Sequence, residues 1–301
     1  MAGRWGRGTG EIDNLAVLDD RGLVGLLDLV DPSAAAAVLD WLADPECPKD
    51  LHDAKGPALA LIASGRSLGG LRVDTALAAY LDAPAHRGYG LAEVTERVLG
   101  TSLAVTTPSD QFLFDTDDGS AAALASQAVA VRDLAVELSS RLEAQGVRHL
   151  LSDVEVPLVP LLARMEAAGI AVDLPGLAAL SGEFGADMRR AEEQAHALVG
   201  RPFNLGSPKQ LQEILFGERN LPKTKKIKTG YTTDAEALQQ LFVQTEDPLL
   251  EQLLAWRDRS KLRQTVDGLV PLADPSSRIH TTFNQMVAAT CLLYTSPSPR
   301  D

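Results

Sequence analysis

The sequence predicts two unlike parts, an α/β layered domain over residues 1–150 and a mainly α-helical domain from residue 151 onward. Three observations carry this. Up to residue 150, apolar runs of strand length alternate with helical segments. From Leu150 the apolar residues recur at three and four, the spacing of buried helix faces, over much longer stretches. Charge divides in the same place, with net −10 over residues 1–150 and −3 over 151–301, while 201–230 alone carries +5.

In the first part, Leu15–Leu18 and Val24–Leu27 flank the turn residues Asp20-Arg21-Gly22, which predicts a β-hairpin. Asp31-Pro32-Ser33 opens a helix over Ser33–Ala43, and Asp44-Pro45 closes it. Pro48–His52 reads as a brief strand leading to the turn Asp53-Ala54-Lys55-Gly56-Pro57, with a helix over Ala58–Ser64 after it. Leu71–Asp74 is a strand, Thr75–Leu81 a helix and Leu91–Leu99 another. Thr101–Gly119 is polar and reads as disorder-prone, and a long helix runs from Ser120 to Gln145.

In the second part, Glu155–Ala168 is a helix ending at Gly169, and Asp173 precedes a helix that runs to Gly200. Arg189, Arg190, Glu192 and Glu193 have the spacing of exposed intrahelical pairs, and His196 reads as a surface residue with no catalytic partner. Asn204 and Ser207 are helix-capping types, Pro208 suits a first helical position, and Leu211, Ile214 and Leu215 share a face. After Gly217 four lysines, Lys223, Lys225, Lys226 and Lys228, crowd ahead of Thr229-Gly230-Tyr231. A helix capped at Thr232 or Thr233 follows, with Asp234 and Glu236 in its first turn and Leu238 and Leu241 on one face. The expected unit is therefore helix, basic loop, helix, and the lysines read either as a solvated loop or as a phosphate-binding surface. After Asp247-Pro248, Leu250, Leu253, Leu254, Leu262 and Val266 form an apolar stripe, while Arg257, Arg259, Lys261 and Arg263 are basic. Residues 257 and 261 are one turn apart, a spacing that suits successive phosphates. Arg278–Gln285 alternates as a strand does.

Composition excludes several classes. With 45% hydrophobic and 5% aromatic residues and a net charge of −13, the chain is ordinary for a globular protein and unlike one that coats itself in nucleic acid. Any nucleic-acid contact must be a local basic stripe. No apolar run has the length of a membrane span, and MAGRWGRGTG has no signal-peptide core, so a cytoplasmic protein without a membrane partner is expected. Two cysteines and five scattered histidines predict neither a disulfide framework nor a zinc site.

The run FNLGSPKQLQEILF, followed by LPKTKKIKTGYTTDAEAL, resembles the thumb of the family A DNA polymerases of the bacterial DNA polymerase I type, in its actinobacterial branch. EVPLVPLLARMEAAGIAVD resembles the segment that opens the polymerase module, and Arg257, Lys261, Leu262 and Thr265 resemble the signature of the long thumb helix. The resemblance covers residues 1–290 as the middle of such a polymerase, without a 5′-nuclease domain and ending before the palm carboxylates and fingers. It implies an α/β ribonuclease H-like 3′–5′ exonuclease domain over 1–150, its first strand incomplete, and the thumb and first palm strand over 151–290. The parent function implied is templated nucleotidyl transfer in DNA replication and repair. Duplex primer-template DNA is the partner, and deoxynucleotides and Mg2+ serve only the full-length, monomeric parent. The DNA-contacting residues implied are Asn204, Ser207, Lys209, Lys223, Lys225, Lys226, Lys228, Thr229, Arg257, Lys261, Thr265 and Gln285, with no catalytic or metal-binding residue in this chain.

Two departures qualify the resemblance. The exonuclease carboxylates that would hold two metal ions are replaced: Pro57 stands at the second motif, Leu124 and Ala128 stand at the Tyr and Asp of the third, and RWGRGTGEID stands where an Asp-x-Glu strand belongs. Asp53 and Asp74 are substitutes in name, but a turn residue and a helix cap are the plainer readings. An inactive exonuclease-like domain is therefore expected, the alternatives being an active ribonuclease D-type exonuclease or a non-enzymatic DNA-binding module. At 291–301 the family's Gly-Arg-Leu-Ser-Ser is replaced by Cys291-Leu292-Leu293-Tyr294-Thr295 and SPSPRD, which reads as a non-native tail.

Overall fold

The structure, a computed structural model, describes residues 1–29, 32–84, 86, 88–103, 118–228, 230–287 and 294–295. Most of Thr101–Gly119 and of the 291–301 tail thus lies outside the described residues. The chain divides into two compact units. Unit 1 comprises residues 1–170 with 280–297, and unit 2 comprises 171–279 with the last four residues. The expected boundary near 150 moves to 170 because the helix after it packs with the first unit.

In unit 1, β1 (Ala2–Gly6), β2 (Thr9–Leu18) and β3 (Val24–Asp28) form an antiparallel sheet in that order, with Leu18 opposite Val24 across the expected hairpin. Asp19 shapes the turn, its carboxylate accepting from the amides of Arg21 and Leu23 at 3.0 and 2.8 Å. After α1 (Pro32–Ala43), β4 (Lys49–Leu51) pairs in parallel with β5 (Leu71–Asp74), and α2 (Lys55–Ala63) supplies the crossover that a parallel pair requires. Helices α3 (Thr75–Asp82), α4 (Leu91–Leu99) and α5 (Asp118–Ala144) follow. A short α6 (Arg148–Leu150) and a π-helical turn over Leu151–Glu155 lead into α7 (Val156–Ala168). Leu61, Tyr80, Leu134, Leu138, Leu142, Leu151 and Val159 share one buried core, which is why α7 belongs to this unit.

The start of α2 is earlier than the expected Ala58, and Asp74 explains it. The buried Asp74 carboxylate accepts from the amides of Ala54 (2.8 Å), Asp53 (3.1 Å), Ala76 (2.9 Å) and Leu77 (3.4 Å). One side chain thereby satisfies N-terminal amides at the starts of both α2 and α3, groups that a helix cannot bond internally. With those amides held, helical geometry begins at Lys55.

β6 (Ile170–Ala171) lies where the chain passes between units. Unit 2 is helical. α8 (Leu174–Val199) is capped by Asp173 and ends at Gly200, which takes the left-handed conformation. α9 (Pro208–Gln212) starts at Ser207 and runs into a π-helical turn over Glu213–Glu218. The lysine stretch then folds as a hairpin of β7 (Lys226–Ile227) and β8 (Gly230–Tyr231), not as an open loop. α10 (Ala235–Thr245) begins later than expected because Asp234 is the cap, its carboxylate taking the Ala237 amide at 2.8 Å and the Thr232 hydroxyl at 2.7 Å. α11 (Pro248–Leu269) is capped by Asp247 and packs antiparallel to α8, Arg259 meeting Asp187 while Arg263 meets Ser181. Phe203, Leu205, Leu211, Ile214, Leu215, Leu238, Leu241, Leu249, Leu250 and Leu253 fill the core of this unit. The intrahelical pair on α8 is Arg190 with Asp187, not with Glu192 or Glu193.

The strand expected over Arg278–Gln285 is broken into β9 (Arg278–Ile279) and β10 (Phe283–Asn284). Between the two strands the chain turns to α7, where His280 and Phe283 both bond to Glu166. β10 pairs with β11 (Tyr294–Thr295). Replacing Asp74 by Ala should cost unit 1 about 2–4 kcal/mol, since it removes a charged acceptor and leaves buried amides unpaired. Urea unfolding followed by circular dichroism reads the cost, and an unchanged midpoint would deny the carboxylate its structural role.

Candidate nucleic-acid interface

The basic hairpin is built on α9. Gln212, on the last turn of that helix, accepts the Tyr231 amide at 3.1 Å through Oε1. Gly230 sits at φ 125°, and a Cβ there would fall 1.9 Å from the same oxygen, so only glycine fits. Tyr231 lies edge-on to Phe216 with ring centroids 5.5 Å apart, and the Thr232 amide donates to the Lys225 carbonyl at 2.9 Å. The backbone is therefore anchored while the lysine side chains project. Lys223, Lys225, Lys226 and Lys228 are all exposed, with Lys223 Nζ 5.3 Å from the Tyr231 ring centroid. Thr229 lies outside the described residues. Sequence reasoning missed Gln212, because a polar residue on a short helix carries no sign of the strand it will hold.

The residues before α9 are mainly structural. Asn204 Oδ1 accepts the Gly206 amide at 2.8 Å, closing a turn, while Ser207 Oγ caps the helix at 3.5 Å from the Gln210 amide. Lys209 is exposed in the first helical turn. His196 pins the same turn, its Nε2 within 2.8 Å of the Phe203 carbonyl, and so has a packing role.

On α11 the expected basic face divides. Arg257 is half-buried, its guanidinium donates to the Thr233 carbonyl just before α10, and desolvation lowers its pKa while Asp234 raises it. Arg259 pairs with Asp187 at 3.1 Å and lies over the Phe184 ring, and Arg263 bonds Ser181 and Asp267 at 3.3 and 3.4 Å. The Thr265 hydroxyl donates to the Lys261 carbonyl at 2.9 Å. Of these four cations Lys261 alone is exposed with an ammonium group that makes no ion pair or ring contact among the described residues. Arg257 and Thr265, both expected at the phosphate backbone, thus also make contacts within the protein. Gln285, also expected at the interface, is buried, with Nε2 donating to Glu155 Oε2 at 2.7 Å and to the Glu155 carbonyl at 3.2 Å. Burial pushes the Glu155 carboxyl up, and the Gln285 bond opposes it.

The positions that the exonuclease resemblance assigns to metal ligands do come together. Pro57, Leu124 and Ala128 line one cavity of about 560 Å³ in unit 1, with His52 and Asp53. The side chains of Pro57, Leu124 and Ala128 offer no metal ligand, and the nearby Asp74 carboxylate is engaged by four amides. Among the described residues no group of three or more His, Cys, Asp or Glu side chains is arranged to hold a metal. Desolvation and the Asp74 charge push the Asp53 carboxyl up. His52, whose Nδ1 lies 2.8 Å from Thr75 Oγ1, is lowered to about 4 by desolvation.

Two predictions follow from these environments. Arg257→Ala should destabilise unit 2 by about 1–3 kcal/mol and speed amide exchange at the start of α10, whereas Lys261→Ala should stay within about 0.5 kcal/mol. Denaturant unfolding and hydrogen exchange distinguish them, and equal costs would contradict the division of roles. For His52 the folded pKa lies below the unfolded value, so the unfolded state binds the proton more readily. Stability of unit 1 should be fully present above about pH 6.5 and fall toward pH 4, by about 1–3 kcal/mol in all. Thermal unfolding across that window should show the fall, and His52→Gln should flatten it.

Comparison with known proteins places these features. Residues 175–298 match the model for DNA polymerase family A. The chain is similar to DNA polymerase I of Mycobacterium tuberculosis, 48% identical over 264 residues, covering 86% of this chain and 29% of that protein. It is also similar to DNA polymerase I of Mycobacterium leprae, 45% identical over 289 residues, covering 93% of this chain and 32% of that protein. Among solved structures it resembles the POL domain of Pol1 from M. smegmatis, in complex with DNA primer-template and dNTP. The TM-score is 0.81 and the identity 42%, and the match covers 100% of this chain and 51% of that one. The chain spans about a third of the length of these two mycobacterial relatives. No helix among the described residues is long and apolar enough to cross a membrane. The chain is thus related over most of its length to bacterial DNA polymerase I, and residues 175–298 match DNA polymerase family A.

Proposed function

We propose that this chain is part of a DNA-directed DNA polymerase of replication and repair, and that unit 2 is its thumb, gripping the phosphate backbone of duplex primer-template DNA. The observation that carries the proposal is the exposed cluster of Lys223, Lys225, Lys226 and Lys228 on a hairpin anchored by Gln212 and Tyr231. Fixed backbone with free ammonium groups suits sequence-independent phosphate contact, since lysine acts there as a mobile point charge. Lys209 and Lys261 extend the same chemistry, and Thr229 and the turn at Asn204 and Ser207 belong to the proposed contact surface. In the whole protein, nucleotidyl transfer rests on palm carboxylates that hold two Mg2+ ions, with deoxynucleotides as substrates. We take that protein to be a cytoplasmic monomer.

Unit 1 is, on this reading, a ribonuclease H-like 3′–5′ exonuclease domain that has lost hydrolysis, the support being Pro57, Leu124 and Ala128 in its cavity. Residues 291–301 are a non-native tail, the support being their departure from the family pattern at Cys291–Thr295. An active ribonuclease D-type nuclease is the reading that this cavity disfavours.

Duplex binding measured by fluorescence anisotropy from low to moderate salt tests the thumb assignment. Changing all four hairpin lysines to alanine should weaken binding roughly tenfold or more and flatten the log–log salt slope by about 3. Equal affinity and slope would defeat the assignment. A labelled primer should keep its length with the protein and Mg2+, and shortening that Asp53→Asn abolishes would restore the nuclease reading.

A further inference from the structure

Residues 280–286 lie on α7 within unit 1, and the backbone of Phe283, a residue of the β10–β11 pair, is also held by two side chains. Phe283 makes both bonds that a paired strand residue makes. Its amide donates to Glu166 Oε1 at 2.8 Å, and its carbonyl accepts from Lys55 Nζ. Those two groups also meet each other, Lys55 Nζ lying 2.7 Å from Glu166 Oε1, with side chains 14% and 3% exposed. His280 Nδ1 lies 2.7 Å from the Glu166 carbonyl, and Gln285 Nε2 donates to Glu155 Oε2 at 2.7 Å. In a β-ladder the partner strand supplies one N–H and one C=O to such a residue. Here an ammonium and a carboxylate, on two different helices, take those parts.

The chemistry makes this contact unlike an ordinary ladder. Charge-assisted bonds are the stronger ones, but a buried ion without its partner is costly. Each half therefore depends on the other, and the pair releases the segment when either is lost. The apolar contribution of this segment to the unit 1 core is small by comparison: Met286 is its one residue packed against the core, and only from the edge.

We propose that Lys55 and Glu166 act as a single clamp on the Phe283 backbone, additional to the pairing of β10 with β11, and that this clamp keeps residues 280–286 docked on unit 1. The inference stands on unit 1 alone, so it holds whatever ligand unit 2 takes. It also gives unit 1 a role as a mount for the segment that follows α11.

Amide exchange on the whole 301-residue chain tests the clamp, comparing Lys55→Met, Glu166→Gln and the double variant. Lys55→Met should speed exchange across 280–286 roughly tenfold, and adding Glu166→Gln should recover part of that, because it neutralises the carboxylate left behind. Amides of Leu59, Leu77 and Leu138 should not change. Exchange within about twofold of the parent in Lys55→Met would overturn the proposal, as would a rise shared equally with those core amides. Should Lys55→Met fail to fold, Glu166→Gln alone decides: a rise confined to 280–286 supports the clamp, and no rise defeats it.

Discussion

The Asp74 carboxylate, buried between the starts of α2 and α3 and accepting four backbone amides, is the contact on which unit 1 depends. It joins the parallel strand pair to both helices that follow those strands, so it sets the direction of α2. That direction places Pro57 in the cavity and Lys55 beside Glu166. The contact also occupies the Asp74 carboxylate with backbone amides. An isolated buried carboxylate is unfavourable, and desolvation does push Asp74 up, but the four amides oppose that shift. A metal ion would have to displace these donors, and the helices would lose their caps.

Unit 2 solves a different problem, holding positive charge at a surface without neutralising it. Its leucine core fixes α9, α10 and α11, and the polar residues around that core decide which cations remain free. Arg219 is taken by Asp247 through two bonds, at 2.9 and 3.0 Å, which ties the π-helical turn to the cap of α11. Arg257, Arg259 and Arg263 are taken by neighbouring helices, as a planar guanidinium favours. The lysines of the hairpin, Lys223 beside the Tyr231 ring, and Lys261 stay exposed and make no ion pair among the described residues. Arginine builds the scaffold here and lysine supplies the mobile charge, a division that suits contact with a uniform phosphate backbone.

Much of this was legible in the residues because caps are local. Asp173, Ser207, Asp234 and Asp247 each act within three residues, so residue types mark helix starts locally, and only the shift of one cap from the expected Thr232 or Thr233 to Asp234 needed the structure. The hairpin was hidden because its ladder is two residues long on each side and is held from outside by Gln212. Arg257 and Gln285 looked like surface contacts because nothing in their sequence neighbours shows Thr233 or Glu155 approaching from far along the chain. The same holds for α7, whose apolar pattern fits either unit, and for Phe283, whose partners are 117 and 228 residues away. Tertiary partners, not local propensity, decided each of these.

The central claim is that duplex DNA meets the anchored lysine hairpin of unit 2 and leaves the unit 1 cavity untouched. Hydrogen exchange with and without a primer-template duplex, at low salt, tests it most directly. The account predicts added protection at residues 204–212 and 223–231 and none at 48–57 or 124–128. Protection in the cavity with none at the hairpin would contradict it.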